Sequence, residues 1–287
     1  MLAVGLALSS AALFGAMTVA LRFALDASPD AEAGALACIA VAFVVLAVAA
    51  AAGGSWPGDV RDVAVFAAAG ILAPGISQPF FLRAIRDAGA ARASVVVGCA
   101  PLVAAILGLT VLGEPAVAGV LVGGLLIVLG GVALLAERIR PETFRVVGLL
   151  FAAITTAVFA CRDVLVRGYS GDADIAPSAA GAVAVAGGLA TMLVYLALAP
   201  GKSAFPARGT LLAFAPAGVF FGLSYVFLFE AFYRGRVTVV TPLVATETLW
   251  TVVLAVLLLR RSELIGRRLL VGAALVVAGS ALIGIFR

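Results

Sequence analysis

Of 287 residues, 64% are hydrophobic and 12% charged, with a mean hydropathy of +1.23 and a net charge of +4. That balance excludes a soluble globular domain, and continuous apolar runs in place of alternating ones exclude a β-barrel. The basic residues never cluster beyond pairs and carry no interleaved aromatics, so a nucleic-acid partner is excluded too.

Windows of about 20 apolar residues mark ten helices able to cross a bilayer, and the chain reads as an all-α polytopic membrane protein. The first five run over residues 2–23, 32–52, 63–85, 91–112 and 117–136, the second five over 145–167, 176–198, 211–233, 237–259 and 264–286. The first window lacks a basic leader and is read as a retained span. The connections are short and carry turn residues, as at Asp26-Ala-Ser-Pro-Asp30 and Pro200-Gly-Lys202. Lys and Arg are commoner on the loops after the odd-numbered helices, which by the positive-inside rule places both termini outside. Cys38, Cys99 and Cys161 fall in separate apolar runs and read as small core residues, not as a disulfide framework.

The chain repeats itself, and we divide it into residues 1–140 and 141–287. Ala12-Leu-Phe-Gly aligns with Ala157-Val-Phe-Ala, Gly75-Ile-Ser77 with Gly222-Leu-Ser224, and Gly123 and Gly130 with Gly272 and Gly279. Five helices per repeat is an odd number, so the second repeat starts on the opposite side of the membrane. Inverted repeats of this kind place a transport site at the midplane between the halves.

Glu247 is the first candidate for chemistry. It lies inside the ninth window, where a carboxylate costs about 2.5–3.5 kcal/mol even on lenient insertion scales. Helical spacing sets it on one face with Trp250, and Thr246 stands beside it. Such a group can meet a cationic amine or take up a proton; the alternative is a Glu satisfied by an Arg of a neighbouring helix. The repeat aligns Ala100 with Glu247, so Gly98-Cys-Ala-Pro101 occupies the matching place. Pro101 removes a backbone donor and frees a carbonyl, which needs protein or a water-filled cavity to receive it.

Ser77, Gln78, Ser224 and Tyr225 on the third and eighth helices are read as cavity lining, with interhelical hydrogen bonding as the alternative. Arg162 and Asp163 lie inside the sixth helix, where Asp163 forms an i,i+4 pair with Arg167 and Arg162 can reach the interface or a substrate carboxylate. Arg83 and Glu230 sit near helix ends and are read as gate or loop ion pairs. Asp172-Ala-Asp174 has the form of a metal-binding DxD, but the loop is too short to hold a sugar nucleotide. A chain without histidine has no Ser-His-Asp or Cys-His nucleophile and no His-dependent zinc site, so an embedded enzyme is the weaker reading. No cofactor and no metal are expected.

Pro101, then Leu112-Gly113-Glu114 leading into the Gly-spaced fifth helix, Leu228-Phe-Glu-Ala-Phe232, Glu247 and Glu263 together resemble the drug/metabolite transporter superfamily and its EamA-type permeases. The resemblance covers nearly the whole chain. It departs at Thr248, where many members have Pro, and at Arg260-Arg261-Ser262 before Glu263. It implies a carrier of the bacterial inner membrane, with the lipid bilayer around it, exporting amino acids or similar small metabolites by alternating access; it leaves the oligomeric state open. Cationic drug efflux is the alternative the resemblance leaves.

Overall fold

A computed structural model describes residues 2–53, 58–111, 117–139, 141, 143–169, 173–199, 206–234, 240, 243–259 and 263–286. Pro242, Leu112-Gly113-Glu114, Asp172 and Arg260-Arg261-Ser262 lie outside them, as does the side chain of Arg167. Among the described residues all regular structure is helical. The helices are α1 (Leu2–Ala27), α2 (Ala31–Ala52), α3 (Val60–Gly70), α4 (Ser77–Ala88), α5 (Ala90–Val97) and α6 (Ala100–Val111). They continue as α7 (Ala118–Leu135), α8 (Val147–Tyr169), α9 (Pro177–Leu198), α10 (Arg208–Arg234), α11 (Glu247–Leu258) and α12 (Arg267–Phe286).

Eight stretches are long and apolar enough to cross a membrane, with α3–α4 and α5–α6 each counting as one. The 23-residue α8 and the shorter, 12-residue α11 occupy the places of the sixth and ninth windows. Local chemistry starts and stops them. Asp30 accepts the N–H groups of Glu32 and Ala33, both at 3.1 Å, and Asp59 accepts that of Val60 at 2.6 Å. Pro177 opens α9, where its missing N–H has no consequence. The third span is not one regular helix. Between α3 and α4 lies a wide π turn, Ile71–Ile76, that contains Pro74 and an extended Ala73.

The helix partners exchange between repeats. α1 packs most extensively on α10 and also on α11 of the second repeat, while α8 packs on α4, α5 and α6 of the first. α7 meets its own repeat counterpart α12, and α2 meets α9. A Cβ on Gly123 would lie 2.6 Å from the Gly279 carbonyl, and one on Gly130 would lie 2.8 Å from that of Gly272. The repeat alignment pairs Gly123 with Gly272, whereas the fold pairs it with Gly279. The two equivalent helices therefore run antiparallel about a local two-fold, at backbone contact that only small residues permit. The ends agree: Ser28 beyond α1 bonds Thr210 at the start of α10 (3.1 Å), and Tyr169 at the end of α8 bonds Asp62 near the start of α3 (2.7 Å).

One expectation needs correction. The ninth window reads as continuous from residue 237 to 259, but its helix is interrupted at Ala245–Thr246 and α11 starts afresh at Glu247. The fourth span is interrupted at Gly98–Cys99, and α6 starts at Ala100. With Ala100 aligned to Glu247, these breaks occupy equivalent places. Both halves therefore disturb their helix here, not only the one that carries Pro101.

Candidate functional site

The two breaks face one cavity. Its wall is built from Val97, Gly98, Ala100 and Pro101 at one break and Val244, Ala245 and Glu247 at the other, with Ser10 and Phe14 of α1, Phe159, Arg162 and Asp163 of α8, and Ser224, Tyr225 and Leu228 of α10. It measures about 660 Å³ when the open space at its mouth is counted. Ser10 falls in the first third of α1, and Arg162 and Leu228 in the last third of α8 and α10. The cavity thus lies in the half of the bundle nearer the chain termini.

The break at Gly98–Cys99 explains how the membrane tolerates Pro101. The proline stands at the second position of α6, where a helix has no partner for that N–H anyway. The Leu102 N–H turns to the Cys99 carbonyl (3.0 Å), which frees the Gly98 carbonyl from the regular helix pattern. The Ser280 hydroxyl of α12 donates to it at 3.0 Å. The Thr248 hydroxyl of α11 donates to the Ser94 carbonyl at 3.2 Å, so side chains of the second repeat hold the broken helix of the first. Thr246 closes its own break by donating to the Leu243 carbonyl (2.6 Å).

Charge in the cavity comes from three residues. Arg162 donates through Nη1 to the Tyr225 hydroxyl at 2.6 Å and lies over the rings of Phe159 and Tyr225, 5.5 and 5.7 Å from their centroids. Its Nε forms an ion pair with Asp163, 2.7 Å from Oδ1. Tyr225 is in turn braced by the rings of Phe221 and Phe229, at 4.6 and 5.9 Å. Glu247 is partly buried in the same wall, and among the described residues its carboxylate has no hydrogen-bond or ion-pair partner. The proposed alternative, a Glu neutralised by an Arg of another helix, does not describe it: Arg162 is engaged with Asp163 and Tyr225.

Of the residues singled out in the sequence, Glu247, Pro101, Ser224, Tyr225, Arg162 and Asp163 come together here. Trp250 does not. It backs onto Gly15 of α1, where a glycine Cβ would lie 2.7 Å from its own, and it is 41% exposed on the outer surface. Three residues turn a helix through about 300°, which leaves the ring about 60° off the Glu247 direction and outside the wall. Ser77 and Gln78 are buried away from the cavity. Gln78 donates to the Cys38 sulfur at 3.7 Å, and the Ser77 hydroxyl has no partner. Thr246 faces its own backbone. Arg83 forms an ion pair with Glu32, and Glu230 pairs with Arg234 at 2.6 Å, both at span ends. Ser10, Phe14 and Phe159 are wall residues that the sequence reading did not single out. The repeat alignment contained a signal for two of them, since Phe14 and Phe159 are equivalent and their rings meet edge-on 6.4 Å apart.

The sequence profile of the EamA-like transporter family matches residues 1–136 and 146–285. The chain belongs to the EamA-like transporter family. It is thus a multi-pass membrane transporter of the drug/metabolite type. Comparison with curated protein sequences gives no match. Among solved structures, one crystal structure is 21% identical and superposes with a TM-score of 0.67 over 99% of both chains, a likeness of fold.

Proposed function

We propose that this EamA-like transporter exports amino acids or similar small metabolites across a bacterial inner membrane by alternating access, with Glu247 as the group that meets the cargo. The reading rests on one observation above the others: an unpartnered carboxylate faces a cavity between two broken helices. An unsatisfied group in that position is costly and gains most from a ligand that completes it. Arg162 stands in the same cavity wall, paired with Asp163, so the ammonium and carboxylate of one zwitterion have complementary groups. The inverted repeats supply two equivalent gates, one toward each face.

A second reading has its own support. Arg162 and Asp163 are adjacent and cancel in charge, so an ionised Glu247 leaves the cavity negative overall, which suits a cationic drug. Reconstitution into proteoliposomes, with labelled amino acids competed by quaternary ammonium compounds, separates the two. In either case Glu247→Gln abolishes or uncouples transport while the protein remains monodisperse. Wild-type rates in that variant would overturn the assignment of Glu247.

A further inference from the structure

Alternating access requires a closed face, and one end of this bundle is closed by a specific device. The α4–α5 tip, at the face away from the termini, is bound from two sides. From α1, the Arg22 guanidinium donates to the carbonyls of Ile85 (3.3 Å) and Arg86 (3.2 Å). From the loop between α11 and α12, Glu263 accepts the N–H of Ala90 and, at 3.2 Å, that of Ala91 at the first turn of α5. Arg92 answers in the other direction. It donates to the carbonyls of Glu263 (2.9 Å) and Leu264 (3.2 Å), and also to that of Ile139 (2.8 Å). Arg92 and Glu263 are 2% and 1% exposed, so each is an intramolecular partner of the other repeat and not a solvated surface charge.

A second observation falls on the same spot. Among the described residues, positive φ occurs at Gly89 (+95°) and Leu264 (+43°), one on each side of this contact. Gly89 admits the conformation freely and leaves room for the carboxylate, since a Cβ there would lie 2.7 Å from Glu263 Oε2. Leu264 is strained, as a branched side chain in the left-handed region is. Strain held in place by surrounding contacts is a property of switch regions. The tip also continues directly into α5, whose far end is the Gly98–Cys99 break in the cavity wall.

We infer that the α4–α5 tip is the movable gate at the face away from the termini, and that Arg92 and Glu263 form the catch that holds it shut across the two repeats. The inference rests on the alternating-access reading. When the catch releases, the Leu264 strain relaxes and α5 swings about its break, opening the cavity to the second face.

The test is labelling of Ala100→Cys, in a background with Cys38, Cys99 and Cys161 replaced by Ala, using a membrane-impermeant maleimide applied from each face. In the parent, labelling from the termini face is fast and labelling from the tip face slow. Arg92→Gln and Glu263→Gln each raise labelling from the tip face by about tenfold or more, as a shifted two-state equilibrium requires. Leu264→Gly keeps both charges, removes the strain of the closed state, and lowers the tip-face rate by about threefold. Parent-like tip-face rates in the charge variants overturn the catch. If those variants do not fold, an unchanged rate in Leu264→Gly overturns it instead. A parent that never labels from the tip face, beside charge variants that do, retains the catch and refutes alternating access.

Discussion

The cavity is defined at the level of single atoms by which groups are satisfied. Ser10 and Ser224 exchange bonds completely: each hydroxyl donates to the other's carbonyl, at 2.9 and 3.0 Å. Their repeat counterparts do not. Thr155 turns back to the Phe151 carbonyl (3.0 Å) and Ser77 is left buried without a partner. The same two-fold therefore gives a knit polar pair where α1 meets α10 and an orphan at the equivalent place where α8 meets α4. Tyr225 has the more direct bearing on transport. Its hydroxyl is the acceptor for Arg162 Nη1, so Tyr225→Phe deprives a buried guanidinium N–H of that partner. Losing one partner of a charged hydrogen bond costs about 1–3 kcal/mol. The half-saturating cargo concentration should rise by about tenfold with expression and folding retained, and an unchanged value would show that Arg162 needs no positioning.

At the scale of helices, length and composition made the spans legible, and punctuation made some of their irregularities legible. Pro74 and Pro101 announce the π turn and the α5–α6 break. The break before Glu247 has a weaker signal, since Pro242 stands five residues earlier in the sequence and not at the break itself. Ala245 and Thr246 carry no strong local preference, and the break there follows from the two-fold and from the packing of α11 on α1 and α5. Trp250 was misplaced for a related reason, because spacing along a helix gives a face but not which neighbour covers it. The small residues were legible as packing, but not which backbone each one meets. Gly70 of α3 touches the Ala184 carbonyl of α9, and Gly187 of α9 touches that of Ala67. Gly70→Ala should therefore destabilise by about 1–3 kcal/mol, the range for overpacking a close contact. Thermal unfolding in detergent should show a clear drop for Gly70→Ala. It should show none for Gly131→Ala, where a Cβ meets nothing within 4 Å.

At the scale of the molecule, the internal repeat was the most informative feature of the sequence. It gave the equivalence of Phe14 with Phe159, whose rings then meet in the cavity wall. What it could not give is the exchange of partners, because an alignment of two halves does not say which helix of one lies on which helix of the other. The assembled cavity also has an electrical consequence. On the proposed reading, Arg162 and Asp163 cancel and Glu247 determines the net charge that the carrier moves. With Glu247 ionised, reorientation displaces one negative charge whether the site is empty or holds a zwitterion; with a monocation aboard, it displaces none. A transmembrane voltage acts on a displaced charge with about 2.3 kcal/mol per 100 mV. With a monocation as cargo, the potential then drives one limb of the cycle and leaves the other indifferent. Turnover in proteoliposomes under an imposed potassium diffusion potential should vary with its sign in the wild type, and a voltage-independent rate would contradict the assignment. The current carried by this protein is, on that view, the property of one unpaired carboxylate.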